Sequence, residues 1–519
     1  MLSLGEGKEA LNGKAASILH ISDADVSSLT VVRKSIDARR RKPPRFIYSV
    51  DVSVPDGVDL TGKERIKIEV LEEKRTLVLR PAKIKTSKSP VIVGCGPSGI
   101  FAALALAEKG IPVLLLERGK SAPERTADVR AFWEKGILNT ESHVHFGEGG
   151  AGTFSDGKLT SRLTNTFTAW IKTRLVDAGA PSEILTDAKP HIGTDRLREV
   201  VINLRKRLIE LGCEVRFEAK VTDFLIHRRR LEGVVVRGNE EIKTDHLILA
   251  TGQSAEDTYV KLYKLGVYLE PKPFAIGFRV EHPQELIDEI QYGKWCKHPD
   301  LPPADYFLTA RLPQINRSVY TFCMCPGGSI IGCSSEERTI VTNGMSRHRR
   351  GSPYANSAVV VAVRCDDFEG NVRYPLCGLA FRRQWEEKSF ILGGENYYAP
   401  AQGLVDFIKK SKGTAVNRTS FAPGVKPAML SETLPFFAVE ALRQGMMEFD
   451  RKMRGFVTKE ATLIGVETRT SSPVRILRGP DCQSVNVAGL YPCGEGAGYA
   501  GGIISSALDG IKAADKIAS

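Results

Sequence analysis

From Pro90 onward the chain alternates short apolar runs with polar or glycine-rich breaks. Val91-Ile92-Val93 is followed by Gly94-Cys95-Gly96-Pro97-Ser98-Gly99, an Ala/Leu-rich stretch over 100–109 and a second apolar run over 113–116. That order predicts strand, glycine-rich turn, helix and strand. A second alternation predicts a helix over 197–209 and strands over 214–217, 221–226, 233–237 and 246–250. From 485 the chain returns to strand, glycine-rich turn and helix. Residues 255–430 mix many short segments without a repeat. Ahead of Pro90, Phe46, Tyr48, Val50, Val52 and Val54 alternate with polar residues, Ile47 excepted, at the period of a half-buried strand. Residues 29–38 are its expected hairpin partner, joined through 39–44. Leu77-Val78-Leu79 is a further strand candidate, and the polar, basic stretch 83–90 reads as a linker.

These breaks divide the chain into a small α+β module over 1–88, the first part of a nucleotide-binding domain over 89–255, a cap or substrate domain over 256–459, and the rest of the nucleotide-binding domain over 460–519. The expected fold class is α/β. With 42% hydrophobic and 26% charged residues, collagen, coiled coil and wholesale disorder are excluded. The net charge of +12 is spread too thinly to name a partner. Seven Lys or Arg lie between 33 and 45, opposed only by Asp37. That run could meet RNA, but its aromatics keep the strand period and read more simply as core. The ten cysteines include no CxxC pair, the pattern of reduced thiols rather than a disulfide framework. No metal site is read from the sequence. No run reaches the ~18 apolar residues of a membrane span, and the first residues lack an apolar signal core. The expectation is a soluble, cytoplasmic protein without a membrane contact.

Gly94-x-Gly96-x-x-Gly99, between an apolar strand and a helix, is the pyrophosphate-binding turn of a dinucleotide fold. Gly94 makes the tight turn, Gly96 lets the pyrophosphate reach the backbone, and Gly99 lets helix and strand pack closely. The helix N-terminus at Pro97 and Ser98 offers unpaired N–H groups. Glu117 lies 23 residues beyond Gly94, near the ~20 expected for a ribose-binding acid, and Arg118 follows it. Gly147-x-Gly149-Gly150-x-Gly152 matches the same pattern but follows no apolar strand, so it is expected to be a crossing loop beside the ligand. An apolar strand ending in Ala250-Thr251-Gly252, and the later Gly494-Glu495 followed by Gly501-Gly502-Ile503 at a helix start, mark FAD rather than NAD. The acid at 495 would bind ribityl hydroxyls; Asp is usual there and Glu is longer. The expected cofactor contacts are therefore Gly94, Gly96, Pro97, Ser98, Gly99, Glu117, Arg118, Gly150, Val221, Thr251, Gly252, Gly494, Glu495, Gly501, Gly502 and Ile503.

The segments VIVGCGPSGIFAALALAEKG, HFGEGGAGTFSDGKLTSR, LILATGQSA, TFCMCPGG, GVETRTSSPVRI and GLYPCGEGAGYAGGIISSALDGIKAA resemble a family of FAD-dependent dehydrogenases of bacteria and plastids. The resemblance spans essentially the whole chain. It implies a Rossmann-like FAD domain of the glutathione-reductase type and an oxidoreductase activity, without a substrate or a settled catalytic residue.

A flavin takes hydride at N5 while the protein sets access and electronics. No second strand–GxGxxG–helix unit for NAD(P)H is expected between 253 and 485, and neither CxxC nor CxxxxC occurs. The expected function is an FAD-dependent oxidoreductase moving hydride between flavin and a small organic substrate, with NAD(P)H as one candidate transient donor. The alternative is a flavin-dependent sensor or RNA-associated flavoprotein using the basic module. Arg469 and Ser471, just before the return to the FAD domain, are the catalytic candidates. Ser155, Asp156 and Lys158 are expected near the isoalloxazine, and His143 and His145 are acid–base candidates. Cys323 and Cys325, on one face of an extended strand, could serve a redox role but read more simply as buried structural thiols. The oligomeric state is not legible.

Overall fold

Val91–Val93, Leu114–Leu116 and Leu247–Leu249 are unbroken apolar triplets, as expected of strands buried on both faces. They form the middle of a five-stranded parallel sheet in the order Leu490–Pro492, Leu247–Leu249, Val91–Val93, Leu114–Leu116, Glu214–Arg216. This computed structural model describes residues 1–39, 42–56, 58, 68–69, 88–160, 165–368, 374–413 and 415–519. The period of two sorts the side chains. Ile92, Leu115, Ile248 and Tyr491 face a core shared with the helices Pro97–Ala107, Thr194–Glu210 and Ile503–Ala518. Val91, Val93, Leu114, Leu116, Leu247 and Leu249 face the other core. It is closed by the antiparallel sheet of Val221–His227, Arg230–Val236 and Glu240–Lys243. The C-terminal helix packs directly on the first one: a Cβ on Gly510 would lie 2.1 Å from the Ser98 carbonyl oxygen.

The chain leaves this domain and returns through a two-stranded antiparallel ribbon, Leu269–Pro271 against Val474–Ile476. Between these strands lies the cap. It is a seven-stranded mixed sheet in the order Thr309–Leu312, Arg317–Cys325, Tyr354–Val363, Phe274–Pro283, Thr462–Glu467, Ala399–Gly403, Val425–Pro427. The helix Phe436–Lys452 covers it through Val439, Leu442, Met446 and Phe449. Thr462–Glu467 thus belongs to the cap sheet, so a boundary at 460 is too early. Its fully buried sequence has the same texture as a strand of the parallel sheet, and only its neighbours assign it.

The N-terminal module is a three-stranded sheet, Leu2–Ser3, Arg45–Ser53 and Ser28–Asp37, with the helix Ala10–Leu19. Leu2, Leu11 and Phe46 form its core, with Tyr48 and Val50 packed against them, while Ile47 is exposed. The module docks on the rest of the chain. Lys34 N–H donates to the Thr186 carbonyl, and the Lys34 carbonyl accepts from Ala188 N–H, both at 2.8 Å. The strand expected at 77–79 and most of the 83–90 linker lie outside the described residues. No helix among the described residues is long and apolar enough to cross a membrane.

Within the cap, burial pushes the Glu281 carboxyl up to about 7, opposed by hydrogen bonds from Ser420. The folded chain therefore keeps a proton that the unfolded chain loses near its ordinary value of 4.5. Stability falls as pH rises from about 4.5 to about 7 and is flat above, a loss on the order of 3 kcal/mol. Glu281→Gln is expected to flatten that slope in urea midpoints measured across the interval. An unchanged slope would show that Glu281 does not carry it.

Candidate active site

A cleft with about 1850 Å³ of atom-free space runs from the carboxyl ends of the parallel strands to the cap. Open α/β sheets bind ligands at that edge. The Val91–Val93 strand ends at Gly94, whose φ of 106° is left-handed. A Cβ there would lie 2.3 Å from the Ala250 carbonyl oxygen, so the turn admits only glycine. Gly99 does not line the cleft. Its Cβ position is 1.9 Å from the Gly94 carbonyl oxygen, so it packs helix on strand. Gly96, Pro97 and Ser98 border the cleft at the helix N-terminus, with Gly150, Thr251 and Gly252 opposite.

At one end Glu117 accepts three backbone N–H groups: Gly119 at 2.8 Å and Gly147 at 2.9 Å on Oε1, and Cys95 at 2.8 Å on Oε2. The carboxylate thereby joins the glycine turn to the 143–150 loop while still bordering the cleft. The Arg118 guanidinium lies 4.2 Å over the Phe146 ring and is held by Asp257 and Glu141. Val221 lines the same end. Further along come Gly494, Glu495, Gly501, Gly502 and Ile503, the last opening the C-terminal helix. Burial pushes the Glu495 carboxyl up to about 7 against Lys272 and a 2.9 Å hydrogen bond from Gln253 Nε2.

The far end is made where the cap meets the crossing loop. Ser155, Asp156 and Lys158 line it with Phe322, Cys323, Asn343, Arg469 and Thr470. Asp156 pairs with Arg350 at 2.9 Å and Lys158 at 3.2 Å. Burial alone would raise its carboxyl, but Lys158 and Arg350 outweigh burial and hold it well below the usual range. The Lys158 ammonium donates to the Met324 carbonyl.

Arg469 borders the cleft, but its guanidinium is taken. It pairs with Glu386 at 2.9 and 3.2 Å and donates to Ser254 Oγ at 2.9 Å. Its geometry is that of a positioning residue. Ser471 is not on the cleft wall; its neighbour Thr470 is. His145 borders the cleft and His143 does not. Burial holds both imidazoles well below the usual range, so they are neutral at physiological pH. The extended strand expected through Cys323 and Cys325 is interrupted. Cys323 has a φ of 47° and its side chain reaches the cleft. Gln253, Asn343 and Glu386 were not foreseen: Gln253 directly follows Ala250-Thr251-Gly252 without a signature of its own, and no motif surrounds Asn343 or Glu386.

Three family models match. A pyridine nucleotide-disulphide oxidoreductase model covers residues 88–261, an FAD-dependent protein C-terminal domain-like model covers 273–470, and a domain of unknown function covers 1–53. An uncharacterized protein of Clostridium beijerinckii is 45% identical over 521 residues, spanning 99% of this chain and 97% of that one. The chain belongs to this FAD-dependent oxidoreductase family. Among solved structures, a geranylgeranyl bacteriochlorophyll reductase-like protein of Thermoplasma acidophilum is 13% identical with a TM-score of 0.35, covering 82% of this chain and 77% of that one. CtdE in complex with FAD is 12% identical with a TM-score of 0.31, covering 82% and 83%. Neither likeness bears on the activity.

The residues present fit FAD. The cleft passes two helix N-termini, at Pro97 and Ile503, where bare backbone faces it. A Cβ on Gly96 would meet only Gly150 Cα at 3.8 Å, and a Cβ on Gly501 would meet nothing within 4 Å. Glu117 and Glu495 supply acceptors for sugar and ribityl hydroxyls on either side. Among the described residues between 253 and 485 the principal sheet is the mixed cap sheet, and no second parallel dinucleotide unit is present.

Proposed function

We propose that this flavoprotein moves a hydride between FAD and a small organic substrate seated against the cap end of the cleft. The observation that carries this is the meeting of the crossing loop and the cap sheet at that end: Lys158, Asn343 and Thr470 converge beside Phe322 and Cys323. When bound, FAD supplies an acceptor and donor of hydride at its ring. Glu117 and the Gly94–Gly99 turn would hold the adenosine and pyrophosphate end, and Glu495 would hold the ribityl chain. The N-terminus of Ile503–Ala518, which opens on the cleft, would present its positive end to the bound ring and favour the anionic reduced form. Lys158 borders that end of the cleft, two-thirds buried and paired with Asp156, and would polarise a carbonyl or hold a carboxylate. Phe322 adds an apolar surface to that wall of the cleft.

The test is anaerobic. Holoprotein is mixed with the small-molecule fraction of a cell extract while the visible flavin absorbance is followed. Bleaching is expected, slowed at least tenfold in Lys158→Met, since one lost charge contact at a reacting group typically costs ~10²-fold. A flavin that neither bleaches with the extract nor, once reduced, is reoxidised by it would overturn the reading.

A further inference from the structure

Cys323 holds a backbone conformation that its strand does not provide. Residues two apart on an extended strand are about 6.6 Å apart. Here Phe322 pairs with Ala358 and Cys325 with Asn356, so one extra residue is bulged out of the Arg317–Cys325 strand. Bulges next to active sites re-aim side chains. The left-handed φ of 47° at Cys323 is unfavourable for a residue with a Cβ, and its result is specific. Cys323 is turned onto the cleft wall. Cys325 folds back beneath it, its thiol donating to the Cys323 carbonyl oxygen at 3.3 Å.

Charged groups from every packed element face this pair. From the crossing loop, Lys158 Nζ is 3.9 Å from Cys325 Sγ and is paired with Asp156, which also binds Arg350. From the central cap strand, Arg279 donates to the Cys323 carbonyl at 3.0 Å. It is neutralised by Glu467 of the next strand at 2.7 and 2.9 Å. The hydrogen bond from Cys325 comes first among the influences on Cys323. Together with Lys158 and Arg279 it outweighs burial and Asp156 and holds the Cys323 thiol well below the ordinary range. Cys325, donor to Cys323 and buried, is held well above it.

We propose that Cys323 and Cys325 are a redox-active pair that exchanges two electrons with FAD, Cys323 being the thiolate at the flavin end of the cleft and Cys325 its disulfide partner. This rests on the flavin reading above and adds a second redox centre to it. In the oxidative direction the Cys323 Sγ–Cys325 Sγ bond forms and the Cys325 S–H bond breaks. Two electrons and that proton pass to oxidised FAD, leaving its singly protonated anionic reduced form. The reverse reopens the disulfide. The Lys158 ammonium, 3.9 Å from Cys325 Sγ, would stabilise negative charge on the reduced pair.

Two measurements test this. Air-oxidised holoprotein is titrated anaerobically with dithionite. Wild type is expected to take up four electrons per FAD, two for the flavin and two for a disulfide, and Cys323→Ser and Cys323→Ala only two. Separately, the full chain stripped of FAD is treated with iodoacetamide at about pH 6, below the ordinary thiol pKa of ~8.5, and labelled sites are read by mass spectrometry. Cys323 is expected to react at least tenfold faster than any other cysteine, and Lys158→Met to slow it severalfold. Uptake of two electrons by wild type, or Cys323 labelling no faster than the buried cysteines, would overturn the proposal. A chain that takes up no FAD would sink the flavin reading instead, and fast Cys323 labelling in that chain would leave only the thiolate assignment standing.

Discussion

Replacing Gly96 with valine is expected to leave a folded protein that no longer retains FAD. Gly96 caps the helix Pro97–Ala107 with φ −85° and ψ −178°, extended backbone open to any residue. Its Cβ position is 3.8 Å from Gly150 Cα and touches nothing else within 4 Å, so a side chain enters the cleft rather than the core. The pyrophosphate must come against that same backbone to reach the helix N–H groups. A loss of at least 100-fold in FAD affinity is expected, about 2.7 kcal/mol, with a thermal midpoint within a few degrees of the apoprotein's. Gly99→Val is the contrast. Its Cβ would lie 1.9 Å from the Gly94 carbonyl oxygen, and the helix could not stay on its strand. That variant should fail to fold, whereas Gly96→Val should fold and stay colourless. Stoichiometric FAD in Gly96→Val would mean that the cofactor lies elsewhere.

Glu386→Ala is expected to cause the largest loss of stability of any single charge removal. The carboxylate is fully buried between Arg382, which is 0% exposed, and Arg469, whose side chain is 2% exposed. It also accepts Thr468 Oγ1 at 2.6 Å. Burial alone would raise this carboxyl, but Arg469 and Arg382 outweigh it. Removing it strands two guanidiniums without water or a full partner set, and a broken buried pair of this kind costs about 3–5 kcal/mol. The damage reaches the cofactor. The Arg469 carbonyl accepts Gln253 Nε2, which also donates to Glu495, so FAD affinity should fall with stability. Calorimetry and FAD titration of Glu386→Ala and Glu386→Gln check both effects. Glu386→Gln keeps the volume and the Thr468 bond and should lose less. A midpoint unchanged in Glu386→Ala would show that the pair is not sustaining the cap–FAD domain junction.

The nucleotide half was legible because its signals are local. A strand, its turn and its helix are neighbours in sequence, and Glu117 follows within one βαβ unit. Thr251-Gly252 and Gly494-Glu495 carry their own strand ends with them. The cap end was not, because its geometry is made by pairing distant segments. Asn343 comes from a hairpin, and Arg469 meets Glu386 83 residues away. The nearest residue by chain, Ser471, turns from the cleft while Thr470 faces it, since the return ribbon begins just beyond. The place of Cys323 on the cleft wall was not legible for a single reason: a bulge cannot be read from Thr321-Phe322-Cys323-Met324-Cys325, and without it the two thiols share one face of an ordinary strand. The segment 460–467 was grouped with the nucleotide-binding domain rather than the cap because a fully buried antiparallel strand and a parallel one share the same apolar texture.

The most direct test of the flavin assignment is the visible absorbance spectrum of the purified chain, taken after incubation with FAD and gel filtration, beside Gly96→Val treated identically. One FAD per wild-type chain and none on the variant is the expected result. A wild-type chain with no flavin absorbance after that treatment would contradict the account at its centre.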